Sequence, residues 1–186
     1  MNSLSEKEKM LAGQLYNAGD PQLTKERNHA HVLCQQYNQL SFLDFTGRNR
    51  ILTELFALIK DPITIEPPFY CDYGKNIELG KYVYMNTNCV ILDVNSVKIG
   101  DYTKFGPYVQ LYCATHPLDP EIRKTGNELG LPITIGNNVW IGGGAIICPG
   151  ISIGNDSVIG AGSIVTKNIN ARVYAAGNPC KVIKKL

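Results

Sequence analysis

Along the chain the apolar positions follow two different rhythms. Over residues 1–60 they recur at three- and four-residue spacing, as on one face of a helix. Ser5 and Glu8 have the form of a capping box, and Met10, Leu11, Leu15 and Tyr16 follow. Gly19-Asp20-Pro21 interrupts the pattern. Ala30, Leu33, Cys34, Tyr37 and Leu40 then fall roughly on one face of a second helix. Ile51, Leu55, Leu58 and Ile59 mark a third. It stops at Asp61-Pro62, because a residue before proline is pushed out of the helical region. Three short helices joined by turns are expected. His29 and His31 are two apart, would point to different sides of a helix, and are assigned no chemical role.

From about residue 70 the period becomes six. Ile135, Ile141, Ile147, Ile153, Ile159, Val165 and Ala171 recur at that interval. Four residues after each of the first six stands another small or aliphatic residue: Val139, Ala145, Ile151, Ser157, Ser163 and Ile169. The same register runs upstream through Leu79, Met85 and Ile91, and through Ile99, Phe105 and Leu111, with a step of eight between Ile91 and Ile99. Neither an amphipathic helix nor a plain hairpin meander has this period. A coil with one short strand and one turn per side does. Its large residues point inward, and Gly relieves the turns at pairs such as Ile141-Gly142 and Ile153-Gly154. Such rungs bury their inner faces only on one another. At about 18 residues per three-sided rung, residues 79–111 and 135–176 make about four rungs.

Residues 112–134 break the series, yet Leu111 and Ile135 are 24 apart, a multiple of six. The segment is therefore a loop that leaves the coil and returns in register, and long loops in compact folds usually carry function. Two regions are expected: a helical region over 1–60 and a coil over 61–186 with an excursion over about 112–134.

Composition narrows the function. The chain has 186 residues, 44% of them hydrophobic, and a formal net charge of +2. That suits a folded domain and not a disordered chain, a dedicated nucleic-acid binder or a membrane-spanning protein. The charged start has no apolar signal region, so a cytoplasmic protein is expected. Six scattered Cys with no CxxC read as free thiols. His116 is the one His in the coil region and lies on the excursion. Zinc chemistry of the carbonic anhydrase kind needs several converging His, so no metal is expected. An imidazole ionises near about 6.5 and can take a proton from a hydroxyl at neutral pH.

The runs Ala114-Thr115-His116-Pro117-Leu118-Asp119-Pro120, Pro132-Ile133-Thr134-Ile135-Gly136-Asn137-Asn138-Val139-Trp140-Ile141-Gly142 and Gly177-Asn178-Pro179-Cys180-Lys181-Val182-Ile183 resemble the hexapeptide-repeat sugar O-acetyltransferases. The resemblance extends to Glu6-Lys7-Glu8-Lys9-Met10 and Cys71-Asp72-Tyr73-Gly74. It implies a mainly β fold, a left-handed parallel β-helix with an N-terminal α-helical region. It also implies acetyl-CoA as co-substrate, a sugar acceptor such as maltose or glucose, direct transfer in a ternary complex, and a homotrimer with sites between neighbouring coils. His116 matches the general base. Glu128 matches the group that holds its second nitrogen, through either its carboxylate or its backbone carbonyl. Asn86 matches the residue that binds the acceptor and stabilises the oxyanion, which an amide can do without carrying charge. Asp72, Asp93 and Asp20 match acceptor-binding positions. Gly143, Ala161, Thr166, Lys167, Lys181 and Lys184 match coenzyme A contacts. Trp140 either walls the donor channel or packs at a corner. Galactoside relatives carry Ser in place of Asp72 and an acid in place of Val94, which favours the glucose or maltose side. Galactosides and other hydroxyl acceptors are the alternatives within the enzyme class, and a non-catalytic scaffold lies outside it. A rival mechanism runs through Cys113, three residues from His116.

Overall fold

The computed structural model describes residues 4–186. Helix α1 (Glu6–Leu11) starts at the expected capping box: Ser5 Oγ accepts from the Glu8 amide, and Glu8 Oε2 accepts from the Ser5 amide. Met10 is its one buried residue, and Leu11 and Leu15 stay exposed. Helix α2 (Pro21–Gln39) buries Leu23, Ala30, Leu33, Cys34 and Tyr37. Helix α3 (Phe45–Leu55) is shorter than the apolar spacing suggests. Leu58–Ile59 is a strand, paired in parallel with Ile77–Leu79. The coil thus opens at Leu58, ahead of the division at residue 60.

Three parallel sheets form the sides of a left-handed β-helix. Face one stacks Leu58–Ile59, Ile77–Leu79, Val97–Ile99, Ile133–Ile135 and Ser152–Ile153. Face two stacks Thr64–Ile65, Tyr84–Met85, Lys104–Phe105, Trp140–Ile141, Val158–Ile159 and Val173–Ala176, closed by the antiparallel Lys181–Lys185. Face three stacks Phe69–Cys71, Cys89–Leu92, Gln110–Tyr112, Ile146–Ile147 and Ile164–Val165. This makes five rungs and, with the Ile153–Ile169 bridge, part of a sixth. The spacing gave about four because Pro62, Pro67 and Pro68 obscure the first rung. Leu79, Met85, Ile91, Ile135, Ile141 and Ile147 all point inward and are buried. Each such side chain contributes about 1.5–3 kcal/mol by leaving water. Ala171 is an exception. The last rung is shortened, Ile169 takes the inward place beside Ile153, and Ala171 is exposed.

Rung length is not constant, and the variation sits at one edge. Met85 lies beside Phe105, twenty residues on, whereas Ile135 lies beside Ile153, eighteen on. The two extra residues fall between faces three and one, at 72–78 and again at 92–98. The excursion leaves from the same edge in the next rung. It is itself structured: Ala114–Thr115 pairs antiparallel with Asn127–Gly130, and a helical turn, Pro120–Arg123, lies between them. Tyr16–Asn17 pairs with the outer side of Asn127–Gly130. The N-terminal region therefore straps the loop to the coil. No helix among the described residues is long and apolar enough to cross a membrane.

Candidate functional site

At the widened edge, Asp93 is fully buried. Its Oδ1 accepts from the amides of Asp72 (3.0 Å) and Tyr73 (2.8 Å), and its Oδ2 from that of Asn76 (3.4 Å). The Asn76 side chain returns a bond to the Asp93 carbonyl at 2.7 Å. Gly74 completes the turn at φ +67, and a Cβ there would meet the Leu55 carbonyl oxygen at 2.5 Å. One carboxylate thus folds the extra residues into a platform for Asp72. Asp93, expected as an acceptor contact, is fully buried in this chain, and its oxygens accept from the backbone of the turn that carries Asp72. One rung on, buried Asn95 donates to the carbonyls of Met10, Leu11 and Gly130, fastening α1 and the excursion to that edge.

Burial pushes the Asp93 carboxyl up to about 8, against the pull of the backbone donors of Tyr73 and Asn76. A carboxyl raised in the folded state binds its proton more tightly there than in the unfolded chain. Its contribution to stability is therefore present below its ordinary range near 3.8 and is lost as pH rises toward 8. The stability difference between wild type and Asp93→Asn is expected to fall by a few kcal/mol over that window, since each tenfold change in proton affinity is worth about 1.4 kcal/mol. Melts at pH 5 and pH 8.5 check it. A difference that grows with pH would mean that the backbone donors dominate.

Around Asp72 stand groups that sequence reasoning left unassigned. His31 Nε2 lies 3.9 Å from its Oδ1. Arg27 donates to Tyr73 Oη and to the Ala18 carbonyl, each at 3.2 Å. Burial raises the Asp72 carboxyl, His31 and Arg27 pull it down, and Glu128 adds a smaller upward push. Buried Tyr16 donates its hydroxyl to Glu128 Oε2 at 2.9 Å, and burial together with the Glu128 charge drives the Tyr16 phenol far up. Nothing in the local pattern marks Tyr16 or Arg27, because their partners are 112 and 46 residues away. Asp20, expected at the acceptor, has a local task in the fold. It is the N-cap of α2, and its Oδ1 accepts from the Gln22 and Leu23 amides.

His116 follows Thr115 on the excursion and is exposed. Cys113 is fully buried, and burial pushes its thiol up to about 12. A thiol so placed is a poor nucleophile. Thr166 and Lys167 lie on the same edge, exposed, just after Ile164–Val165.

The edge between faces two and three carries the rest. Asn86 Oδ1 accepts from the Thr87 amide at 2.8 Å, which turns its Nδ2 outward as a donor with no partner among the described residues. Further along, the amides of Gly142, Gly144, Gly160 and Gly162 all donate to carbonyls of neighbouring rungs. Between them the amides of Gly143 and Ala161 donate to none among the described residues. A Cβ on Gly106 would lie 2.5 Å from the Gly143 nitrogen, so only glycine there leaves room for this stacking. Trp140, Gly143, Ala161, Tyr174 and Lys184 line a groove of about 500 Å³. Trp140 is 59% exposed, so it walls this groove and does not pack into the core. Lys181 is exposed on the same closing strand as Lys184.

Eight of the expected site residues fall on two edges of face three, while Trp140, Lys181 and Lys184 lie on face two and its closing strand. Asp72, Glu128, His116, Thr166 and Lys167 lie on one. Asn86, Gly143 and Ala161 lie on the other, before the strands whose far ends carry the first group. One chain does not bring His116 and Asn86 together. Among the described residues there is no group of three or more His, Cys, Asp or Glu placed to hold a metal.

Comparison with known proteins gives matches over nearly the whole chain. A family described as the maltose acetyltransferase hexapeptide capping motif matches residues 9–59, and one described as the hexapeptide repeat of succinyl-transferase matches residues 132–167. Nodulation protein L of Rhizobium leguminosarum bv. viciae is 52% identical over 96% of this chain and 94% of its own length. The crystal structure of a maltose O-acetyltransferase from Clostridium difficile 630 superposes with a TM-score of 0.98 at 47% identity, covering 100% of this chain and 99% of that one. A galactoside acetyltransferase in complex with coenzyme A superposes with a TM-score of 0.92 at 40% identity, covering 98% of this chain and 92% of that one.

Proposed function

Because the chain belongs to the hexapeptide-repeat acetyltransferase family, we propose that it carries an acetyl group from acetyl-CoA to a hydroxyl of a sugar such as maltose or glucose. The observation that carries the reading is the groove beside face two. Four of the residues expected at coenzyme A line it together, and the open amides of Gly143 and Ala161 stand at its edge. Open backbone donors suit the carbonyls of a pantetheine arm. Lys181 and Lys184 suit its phosphates as point charges.

In the proposed reaction, acceptor and acetyl-CoA are bound together. His116 takes the proton of the sugar hydroxyl as its oxygen attacks the thioester carbonyl carbon. The C–O bond forms, and the tetrahedral oxyanion accepts from Asn86 Nδ2. Collapse breaks the C–S bond, and His116 returns the proton to the leaving thiolate. Glu128 lies in the strand beside Ala114–Thr115, anchored by Tyr16, and orients the His116 segment. Asp72 accepts from sugar hydroxyls. A path through an acetylated Cys113 has no support, given its burial.

The assembly follows from the two-edge arrangement. The outward residues of face three include Val90, Leu92, Ile146 and Ile164, whereas those of face one include Glu78, Lys98, Thr134 and Ser152. A closed three-fold ring would cover the apolar face and bring one coil's Asn86 edge against its neighbour's His116 edge. The homotrimer is therefore part of the proposal.

Coenzyme A release with glucose, maltose and a thiogalactoside as acceptors tests the acceptor class. The highest kcat/KM is expected for glucose or maltose. Preference for the thiogalactoside would move the protein to the galactoside side. Absence of release with every sugar would sink the sugar claim.

A further inference from the structure

Two thiols meet at the seam between the helical region and the coil. Cys34 lies on the inner face of α2, and Cys71 ends the first strand of face three. Their Sγ atoms are 3.7 Å apart, and both residues are buried. Among the six cysteines, all free, this is the one thiol–thiol contact among the described residues. Both residues also line a groove of about 500 Å³ between α2 and face three. His31, Asp72, Val90 and Leu92 line it as well, so the pair belongs to the buried core and also borders an open space.

We propose that Cys34 and Cys71 are a reversible oxidation site for hydrogen peroxide, and that their disulfide locks α2 against the strand that presents Asp72. The pair has the two unlike members that such chemistry uses. Either thiol can donate across the contact; where Cys71 donates it pulls the Cys34 thiol down, and Cys34 is then the attacking sulfur. The same bond, burial and the charge of Asp93 push the Cys71 thiol up, which makes it the resolving group. Cys34 sulfur attacks one peroxide oxygen. The S–O bond forms, the O–O bond breaks, and the second oxygen leaves as water after taking a proton. Cys71 sulfur then attacks the Cys34 sulfenic acid. The S–S bond forms, the S–O bond breaks, and a second water leaves with the Cys71 proton. Two thiols are oxidised and one peroxide is reduced to two waters.

Closing the contact from 3.7 Å to a bond of about 2.05 Å draws the two elements together. Asp72 is the next residue after Cys71. Its neighbour His31, 3.9 Å away, lies one helical turn before Cys34. The link therefore acts on both members of that contact. The effect on activity rests on the proposed role of Asp72 at the acceptor, whereas formation of the link does not.

The test treats the full-length protein with hydrogen peroxide, blocks free thiols, digests it and maps the peptides by mass. The expected result is a Cys34–Cys71 linked pair, two of the six thiols lost, and their recovery with dithiothreitol. Cys34→Ser and Cys71→Ser each abolish the linked peptide. Mapping of the wild-type protein stands even if a variant folds poorly. In the same preparation the acceptor KM is expected to rise several-fold, with the acetyl-CoA KM unchanged and the rise reversed by dithiothreitol. Loss of other thiols first, or over-oxidation of Cys34 with no link, overturns the site. A link that leaves the acceptor KM unchanged overturns the lock. A protein that forms the link but acetylates no sugar sinks the proposed acceptor class and leaves the oxidation site standing.

Discussion

His116→Ala is expected to lower kcat for acetyl transfer by about 10²–10⁴-fold, the usual range for removing a positioned general base. Both KM values are expected to stay within a few-fold of wild type. The residue is exposed on the excursion, so its loss opens no cavity and leaves no buried polar group unpaired. Thermal stability should therefore hardly change, and a drop in kcat then reads as chemistry. Steady-state kinetics with acetyl-CoA and maltose, beside a melt of the variant, check both halves. A variant that keeps more than about a tenth of wild-type kcat would remove His116 from the base role. A variant that loses kcat together with several degrees of Tm would point to a structural part for the loop instead.

Asn86→Ala is expected to cost about 10²–10³ in kcat, as loss of one donor to an oxyanion does. Asn86 Oδ1 also accepts from the Thr87 amide, so Asn86→Asp is the better companion. It keeps that acceptor and loses the outward N–H. The two-edge arrangement supplies a sharper experiment. If each site takes His116 from one chain and Asn86 from its neighbour, the two inactive variants complement each other. Mixed at equal amounts by unfolding and refolding together, they should recover about a quarter of the wild-type activity, the share of interfaces that unite two intact residues under random assembly. Recovery near zero would put both residues of a site on one chain and would contradict the proposed trimer.

The coil was legible because its signal is local. One inward residue every six, repeated from Ile135 to Val165, needs no long-range information, and the structure buries every member. The capping box at Ser5 was legible for the same reason, since its partners are three residues apart. Where the reading failed, a non-local contact had overridden the local pattern. Leu58 and Ile59 continue the apolar spacing of α3 but pair with Glu78 and Leu79, so the helix stops at Leu55. Ala171 keeps the period of six but loses its inward place to Ile169 when the last rung shortens.

The candidate site divides in the same way. His116 could be singled out because it stands alone on a loop that interrupts a regular series. The tasks of the three acidic residues could not be separated by type. Asp20 caps a helix, Asp93 is buried under three backbone amides, and Asp72 is partly exposed beside His31. Carboxylates are equivalent in a string of letters, and burial and partners distinguish them only after folding. The tasks of Tyr16, Arg27 and Asn95 were invisible for a related reason, because each acts on residues far along the chain.

The sequence by itself determined the stacked coil, the register of its inward residues and the loop that leaves and rejoins it, because each rung buries its apolar side chains at a fixed interval set by strand and turn length. Tertiary structure alone decided that the extra residues gather at one edge, that Tyr16 straps the excursion through Glu128, that Cys34 meets Cys71, and that His116 and Asn86 stand at opposite edges of one face. Those relations depend on which turns stack above one another, and stacking depends on the summed length of every rung between them.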